Sequence, residues 1–377
     1  MKRAVNILSI ILLVIFISGV WSSALKNPTY DTDMLFYTGI YYQSEGMTDS
    51  EAHQKVYDFK FASLPDSVQQ FMSTTEMEKN CRTDFAYFSI MLPFCKVKWL
   101  YNVCVRVLTP VSGSPFLAMI FISLISFSLI SFLLAFLLSR YLETWLACLF
   151  AIFISAFPHV AEVSRIFTPD AFSALLLFSA FLILLLKKKE WLAFLFFFLA
   201  ILCRPENVLF PIIYSVHEII LSRKVNRQKI FYAVAIVVSI VLFFMIEKIT
   251  GAYGWKITFQ HSLIDSAKSP TAWLNESLSI STFITILIQN TFNHKTELLL
   301  IIFFFVLAYF SSKKIEMLSG NNLFKKILFM VSAVMILKFI MHPFFDSRFF
   351  TLYYILTLAI ISLSVLPWKR NDKIILK

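Results

Sequence analysis

Phe116–Leu138 runs without a charged residue, and its length matches the ~20 residues an α-helix needs to cross a hydrocarbon core. Ala171–Leu186 and Ile230–Ile246 are equally free of charge, and charged residues follow each of the three within a few positions. A helix that is apolar on every side has to be buried in protein or in lipid. A chain of 377 residues is too short to enclose so many in protein. Composition agrees: 58% of residues are hydrophobic and 15% charged, against about 45–50% and about 25% in soluble domains. The chain reads as an all-α polytopic membrane protein.

About ten spans are expected (range 8–11), at 5–25, 115–138, 142–159, 170–186, 190–203, 207–221, 230–247, 296–311, 325–342 and 348–366. Val5–Leu25 follows Met1-Lys2-Arg3, and Ser22-Ser23-Ala24 mimics a signal-peptide cleavage site. The apolar stretch is long for that purpose and reads as a retained anchor. With the N-terminus inside, the short loops carry their lysines and arginines on the cytoplasmic side, as the positive-inside rule requires. These are Lys2, Arg3, Arg140, Lys187, Lys188, Lys189, Arg223, Lys224, Arg227, Lys229, Lys313, Lys314, Lys325, Lys326, Lys369, Arg370, Lys373 and Lys377; the acids there include Asp372. The net charge of +11 therefore marks orientation in the bilayer and gives no reason to expect a nucleic-acid partner. Both termini fall inside, most simply in a bacterial cytoplasmic membrane.

Residues 1–377 read as one membrane domain with two long external segments, 26–114 and 248–295. Thr48-Asp49-Ser50-Glu51 has the form of a capping box, which predicts a short helix reaching Phe61. Pro65 breaks the chain, and Asp66 is the expected N-cap of a second helix running to Lys79. Ala86–Leu108 mixes apolar blocks with Lys96, Lys98 and Arg106 and is expected along the membrane surface. The second segment contains Gly251-Ala252-Tyr253-Gly254-Trp255 and a Ser279–Ile288 stretch too short to span. Cys81, Cys95 and Cys104 share the first segment, where one disulfide is compatible with an oxidising compartment.

Ionisable residues at membrane depth are expensive and tend to be functional. On the external side this topology gathers Asp31 and Asp33, then Glu162, Arg165 and Asp170, then Arg204 and Glu206, and finally Lys338, His342, Asp346 and Arg348. Acids beside the first span, with cations at the mouths of others, suit a reaction on an anionic lipid. A carboxylate in Tyr30-Asp31-Thr32-Asp33 is able to take a proton from a hydroxyl or to hold a divalent cation such as Mg2+ or Mn2+; the simpler alternative is that Asp31 and Asp33 cap the next helix. Thr168 is expected to cap the helix that Pro169 initiates, with Asp170 in its first turn. Arg165 offers a fork matched to phosphate. Lys338 and Arg348 either snorkel or face a phosphate. No Ser-His-Asp order, phosphate-binding glycine loop or His-x-x-x-His pair is present.

Together these segments resemble the GT-C superfamily of membrane glycosyltransferases, which includes protein O-mannosyltransferases, oligosaccharyltransferase catalytic subunits and aminoarabinose transferases. The resembling features are Asp31-Thr32-Asp33 with Phe36-Tyr37, the long first external segment, Ser164–Ala171, and Arg204-Pro205-Glu206-Asn207 between short helices. The resemblance implies an active site at the external face, a polyprenyl-phosphate-sugar donor, and a glycan or other lipid-linked acceptor. It implies Asp33 as first choice for the general base and Asp31 as second, or the two aspartates as ligands of Mg2+ or Mn2+. Arg165, Arg204, Lys338 and Arg348 become phosphate clamps, and Asp170, Glu206, His342 and Asp346 supporting residues. The chain lacks a soluble C-terminal domain and a Trp-Trp-Asp acceptor signature, which argues against peptide N-glycosylation. A polymerase or ligase using a lipid diphosphate, and a flippase for lipid-linked sugar, are the competing readings.

Overall fold

The structure is a computed structural model that describes residues 2–186, 189–221, 227–319 and 322–365. Of the cytoplasmic charges named above, Lys187, Lys188, Arg223, Lys224, Lys369, Arg370, Asp372, Lys373 and Lys377 lie outside the described residues.

Helix α1 (Lys2–Lys26) leads into α2 (Asp33–Ser44). The capping box at Thr48 and Glu51 forms and starts α3 (Asp49–Gln54), which continues as a π-helical stretch to Phe61. Next come α4 (Asp66–Phe71), α5 (Glu76–Thr83), α6 (Phe85–Met91), α7 (Pro93–Lys96) and α8 (Trp99–Ser112). Gly113 ends α8 in the left-handed region, at φ 78°, and Pro115 opens α9 (Pro115–Ser139) at a position that needs no N–H donor. Then follow α10 (Thr144–Ser155), α11 (Pro158–Ala161), α12 (Asp170–Leu185), α13 (Glu190–Cys203), α14 (Leu209–Leu221) and α15 (Arg227–Thr250). The second long segment carries α16 (Gly254–Leu263) and α17 (Ile280–Asn293) before α18 (Lys295–Ser319), α19 (Leu323–Met341) and α20 (Thr351–Val365).

Among the described residues, helix covers most of each expected span. Among the described residues five helices are long and apolar enough to cross a membrane by length and composition alone, at Arg3–Lys26, Pro115–Ser139, Arg227–Thr250, Lys295–Met317 and Ser347–Val365, or six if the bent pair Thr144–Ser155 and Pro158–Ser164 is one span. Burial sorts these five into layers. The α9 and α20 windows are 61% and 78% buried, whereas α1, α15 and α18 bury only 17%, 22% and 22%. Aromatic rings fill the interior: Phe181 of α12 meets Phe197 of α13 edge-on at 5.4 Å, with Phe194 and Phe210 beside them, and Tyr354 of α20 packs on Phe157 and Phe304. The outer helices present Leu, Ile, Val and Phe to lipid.

Several local expectations are corrected. The span set at 142–159 ends at Ser155, because Pro158 cannot continue a helix and the chain bends by 80° there. Asp66 does not cap; Pro65 occupies that position and makes no side-chain bond. The helix set at 66–79 divides, since Thr75 and Glu78 form a second capping box that starts α5. Ala86–Leu108 divides likewise among three helices, α6 to α8. Thr168 makes no capping bond to α12; its hydroxyl donates to Asp170 Oδ2 instead. All five cysteines are free.

The two long segments meet on one face. Tyr253 Oη donates to the Ile90 carbonyl (2.8 Å) and Tyr87 Oη to that of Ala267 (3.1 Å). Helix α2 docks on α6 through Gly39, where an added Cβ would lie 2.7 Å from Cζ of the fully buried Phe88. Phe88 is also packed by Phe36, His53 and Tyr57 and has no room to retreat. Gly39→Ala is therefore expected to lower stability by about 1–3 kcal/mol, the usual range for overpacking a core. Thermal unfolding in detergent checks this; an unchanged transition would mean that α2 and α6 are not closely docked.

Candidate active site at the helix ends

A cavity of about 700 Å³ opens where the loop-bearing ends of α12, α13, α14, α19 and α20 meet the two long segments. Its charged lining is Asp33, Asp170, Glu206 and Glu247 against Lys98, Arg204, Lys338 and Arg348. Residues more than 300 positions apart thus share one space.

The acidic motif is fixed from both sides. Asp33 is the first residue of α2 and fronts the cavity. Asp31 does two jobs at once: its Oδ1 accepts the Met34 N–H (3.1 Å), a capping bond, and its Oδ2 accepts from Arg348 Nη1 (3.2 Å). Thr32 sits at the N-cap of α2 but makes no capping bond; its hydroxyl donates to Glu78 Oε1 at 2.8 Å. Glu78 is nearly buried and also accepts from the Thr75 N–H and hydroxyl. Burial works against its charge, yet these hydrogen bonds hold its carboxyl below the usual range.

Arg348 is the hub. It follows Asp346, whose Oδ1 caps the turn Ser347–Phe350 by accepting the Arg348 N–H. Its guanidinium lies 2.7 Å from Asp346, 3.2 Å from Asp31, and 4.0 Å from both Asp33 and Asp170. The Nε contact with Asp346 is close but lacks hydrogen-bond alignment. Arg204 precedes a proline, which disfavours the helical region, so its backbone is extended (φ −149°, ψ 108°) and α13 stops. That turn delivers its guanidinium to Asp170 and Glu206, over the Phe349 ring at 4.6 Å.

The remaining cations are less committed. Lys338 Nζ donates to Asn207 Oδ1 (3.0 Å), and Asn207 is itself held by Ser173 Oγ and the Ala200 carbonyl. Lys98 Nζ donates to the Phe94 carbonyl (2.7 Å). Neither lysine forms an ion pair among the described residues. Burial opposes the charge of Glu206, but Arg204, Lys338 and Lys98 outweigh it and hold that carboxyl far below the usual range. His342 lines the same space.

Two expected residues stand elsewhere. Arg165 does not line the cavity: its Nε donates to the Asn27 carbonyl at 3.0 Å, and Thr29 bridges to Ile166 beside it. Its fork ties the α1–α2 connection to the loop ahead of α12. Asp346 reaches the site only through Arg348. Lys98 was not expected here; its only sequence signal was a cation in an otherwise apolar stretch. As for Mg2+ or Mn2+, no three His, Cys, Asp or Glu side chains gather as a metal site among the described residues. The Arg348 guanidinium stands against the Asp31 and Asp33 carboxylates. A dication there meets a fixed positive charge, so these residues do not fit a resident metal, and no step is assigned to one.

Residues 97–246 match the model of the family described as dolichyl-phosphate-mannose-protein mannosyltransferase, a GT-C family. Over that stretch the chain is similar to a GT-C family. No curated protein and no solved structure matches. The match supports a membrane glycosyltransferase of GT-C type that draws on a polyprenyl-phosphate sugar. The matched stretch carries Lys98, Asp170, Arg204 and Glu206, while Asp33, Lys338 and Arg348 lie outside it and join it through the cavity, and Asp31 is tied in through Arg348.

Burial, and then the nearby charge of Asp33, push the Asp31 carboxyl up from 3.8 to about 7, against the pull of Arg348. The folded protein thus holds a proton in a window where the unfolded chain has released it. Stability is therefore expected to fall as pH rises from about 4 to about 7, and Asp31→Asn is expected to remove that part of the slope. Thermal unfolding across this range, wild type against variant, is the check; superimposable pH profiles would contradict it.

Proposed function

We propose that the chain transfers one sugar from a polyprenyl-phosphate carrier to a hydroxyl of a cell-envelope or lipid-linked acceptor, with inversion. The face carrying the cavity is taken as external, in a bacterial cytoplasmic membrane with both termini inside. One observation carries the reading: Asp33 shares a single cavity with Arg204 and with Lys98 and Lys338, two lysines that make no ion pair among the described residues. The cavity continues between α12, α14, α15 and α19 over Ala174, Leu177, Leu209, Phe243, Met335 and Phe339. That apolar lining suits the first prenyl units, and the cation cluster suits the phosphate they carry.

In the transfer, the acceptor oxygen attacks the anomeric carbon as the bond from that carbon to the phosphate oxygen breaks. The acceptor proton passes to an Asp33 carboxylate oxygen, and the bonding electrons stay on the phosphate. The departing polyprenyl phosphate gains a negative charge, and Lys98, Arg204 and Lys338 stabilise it as it develops. Arg348 is engaged by four carboxylates and holds Asp31 and Asp33 in place. Glu206 and Asp170 orient Arg204, and Asn207 orients Lys338. Arg165 stands outside the cavity and holds the Asn27 carbonyl with Nε and Nη2, so its part is structural.

The competing readings fit less well. A flippase needs polar groups along a path through the bilayer, whereas the charges here gather at one end of the bundle. A lipid-diphosphate polymerase would tolerate loss of both aspartates. The test uses membranes containing the full chain and radiolabelled polyprenyl-phosphate mannose, the sugar in the matched family's description. Asp33→Asn is expected to cut transfer by about 100-fold or more, as loss of a general base does, and Asp31→Asn by less. Full transfer by both variants, correctly folded, would overturn the assignment of the base.

A further inference from the structure

The wall of the cavity supplied by the second long segment is chemically unlike the rest. Tyr253, Trp255, Thr258, His261, Ser262 and Ser266 line it, and none carries a fixed charge. The nearby lysines are used elsewhere: Lys256 Nζ donates to the Glu276 carbonyl (2.8 Å), and Lys268 pairs with the Glu276 carboxylate while lying over the Trp273 ring. We propose that this wall is the acceptor site and that it takes a sugar ring, so the acceptor is a glycan hydroxyl. The proposal rests on the transfer reading above and names its second substrate.

The wall is built to be rigid. Gly251 and Gly254, at φ 65° and 76°, bracket Ala252-Tyr253 in conformations that side-chain-bearing residues rarely adopt. They fold Tyr253 and Trp255 back over the cavity. Tyr253 is held by its bond to Ile90, and Trp255 Nε1 donates to the Met341 carbonyl at 2.7 Å. The indole also leans on Phe259 and Phe283 yet remains 41% exposed. An aromatic ring fixed in this way offers a face to the C–H side of a pyranose.

His261 supplies the polar complement. It is 4% exposed, and Phe94 stacks on its ring at 5.1 Å. Its Nδ1 lies 3.1 Å from the Lys268 carbonyl. A carbonyl only accepts, so Nδ1 carries the hydrogen and Nε2 is left as an acceptor. Among the described residues that Nε2 is buried without a partner, an omission that costs stability. Burial also keeps the imidazole neutral by pulling its proton affinity below the ordinary value. A neutral buried acceptor calls for a hydroxyl donor, as a sugar provides. A second phosphate would meet no cation on this wall, and an alkyl chain would leave Nε2 and the hydroxyls unmet.

The test uses the full chain in nanodiscs with a panel of radiolabelled polyprenyl-phosphate hexoses and three acceptors: water, octyl hexosides, and a peptide rich in Ser and Thr. Transfer to an octyl hexoside is expected, with none to the peptide. His261→Ala and Trp255→Leu are expected to raise the hexoside KM about tenfold, roughly one hydrogen bond or stacking contact, with the donor KM unchanged. His261→Gln, which restores an acceptor atom, is expected to recover part of the loss. Equal transfer to the peptide, or an unmoved hexoside KM in both alanine and leucine variants, would overturn the glycan site. Donor hydrolysis that Asp33→Asn abolishes would uphold the transfer reading even then. No turnover in any arm would overturn both.

Discussion

Arg348 is the interaction on which the arrangement depends. Its guanidinium faces Asp31 and Asp33 from the start of the chain, Asp170 from the middle, and Asp346 beside it. Any one of these carboxylates, buried alone, would be costly. Gathered round a delocalised cation, they share one counter-ion, and that sharing forces α2, α12 and α20 to end at the same place. Arg204 repeats the device with Asp170 and Glu206. Asp170 touches both guanidinium groups and thereby couples the two clusters.

The charge distribution divides the cavity by chemistry. Carboxylates face Arg348 at one side. Lys98, Lys338 and Arg204 stand at another, with Glu206 only partly offsetting them. A neutral aromatic and hydroxyl wall closes the third side, and an apolar channel leads into the bundle. A proton acceptor, an anion site, an uncharged polar site and a lipid path are the four environments that sugar transfer from a lipid phosphate requires. Their adjacency is the substance of the assignment, more than any single residue.

Much of the fold was legible in the sequence, because lipid imposes a simple demand. A run apolar on all sides has nowhere else to go, and among the described residues helix covers most of each expected span, although 142–159 breaks at Ser155. Thr48-x-x-Glu51 was legible for a similar reason, since a capping box is satisfied within four residues. The errors arose where a residue had two local options or a distant partner. Thr75-x-x-Glu78 carries the same signature as the first box but was masked by the more obvious Pro65-Asp66. Thr168 looked like a cap and instead donates to Asp170. Arg165 had the right chemistry for phosphate, but the carbonyl of Asn27 takes its fork. Lys98 was overlooked because nothing in its spacing announces that α7 and α8 turn it towards Glu206.

The central claim is that Lys98, Arg204 and Lys338 form the anion site for a lipid phosphate. A structure of the full chain in nanodiscs with polyprenyl phosphate tests it most directly. The phosphate should lie within hydrogen-bond distance of those three side chains, with the prenyl chain running between α14, α15 and α19. A phosphate bound at Arg165, or a lipid seated elsewhere with this cavity vacant, would contradict the account.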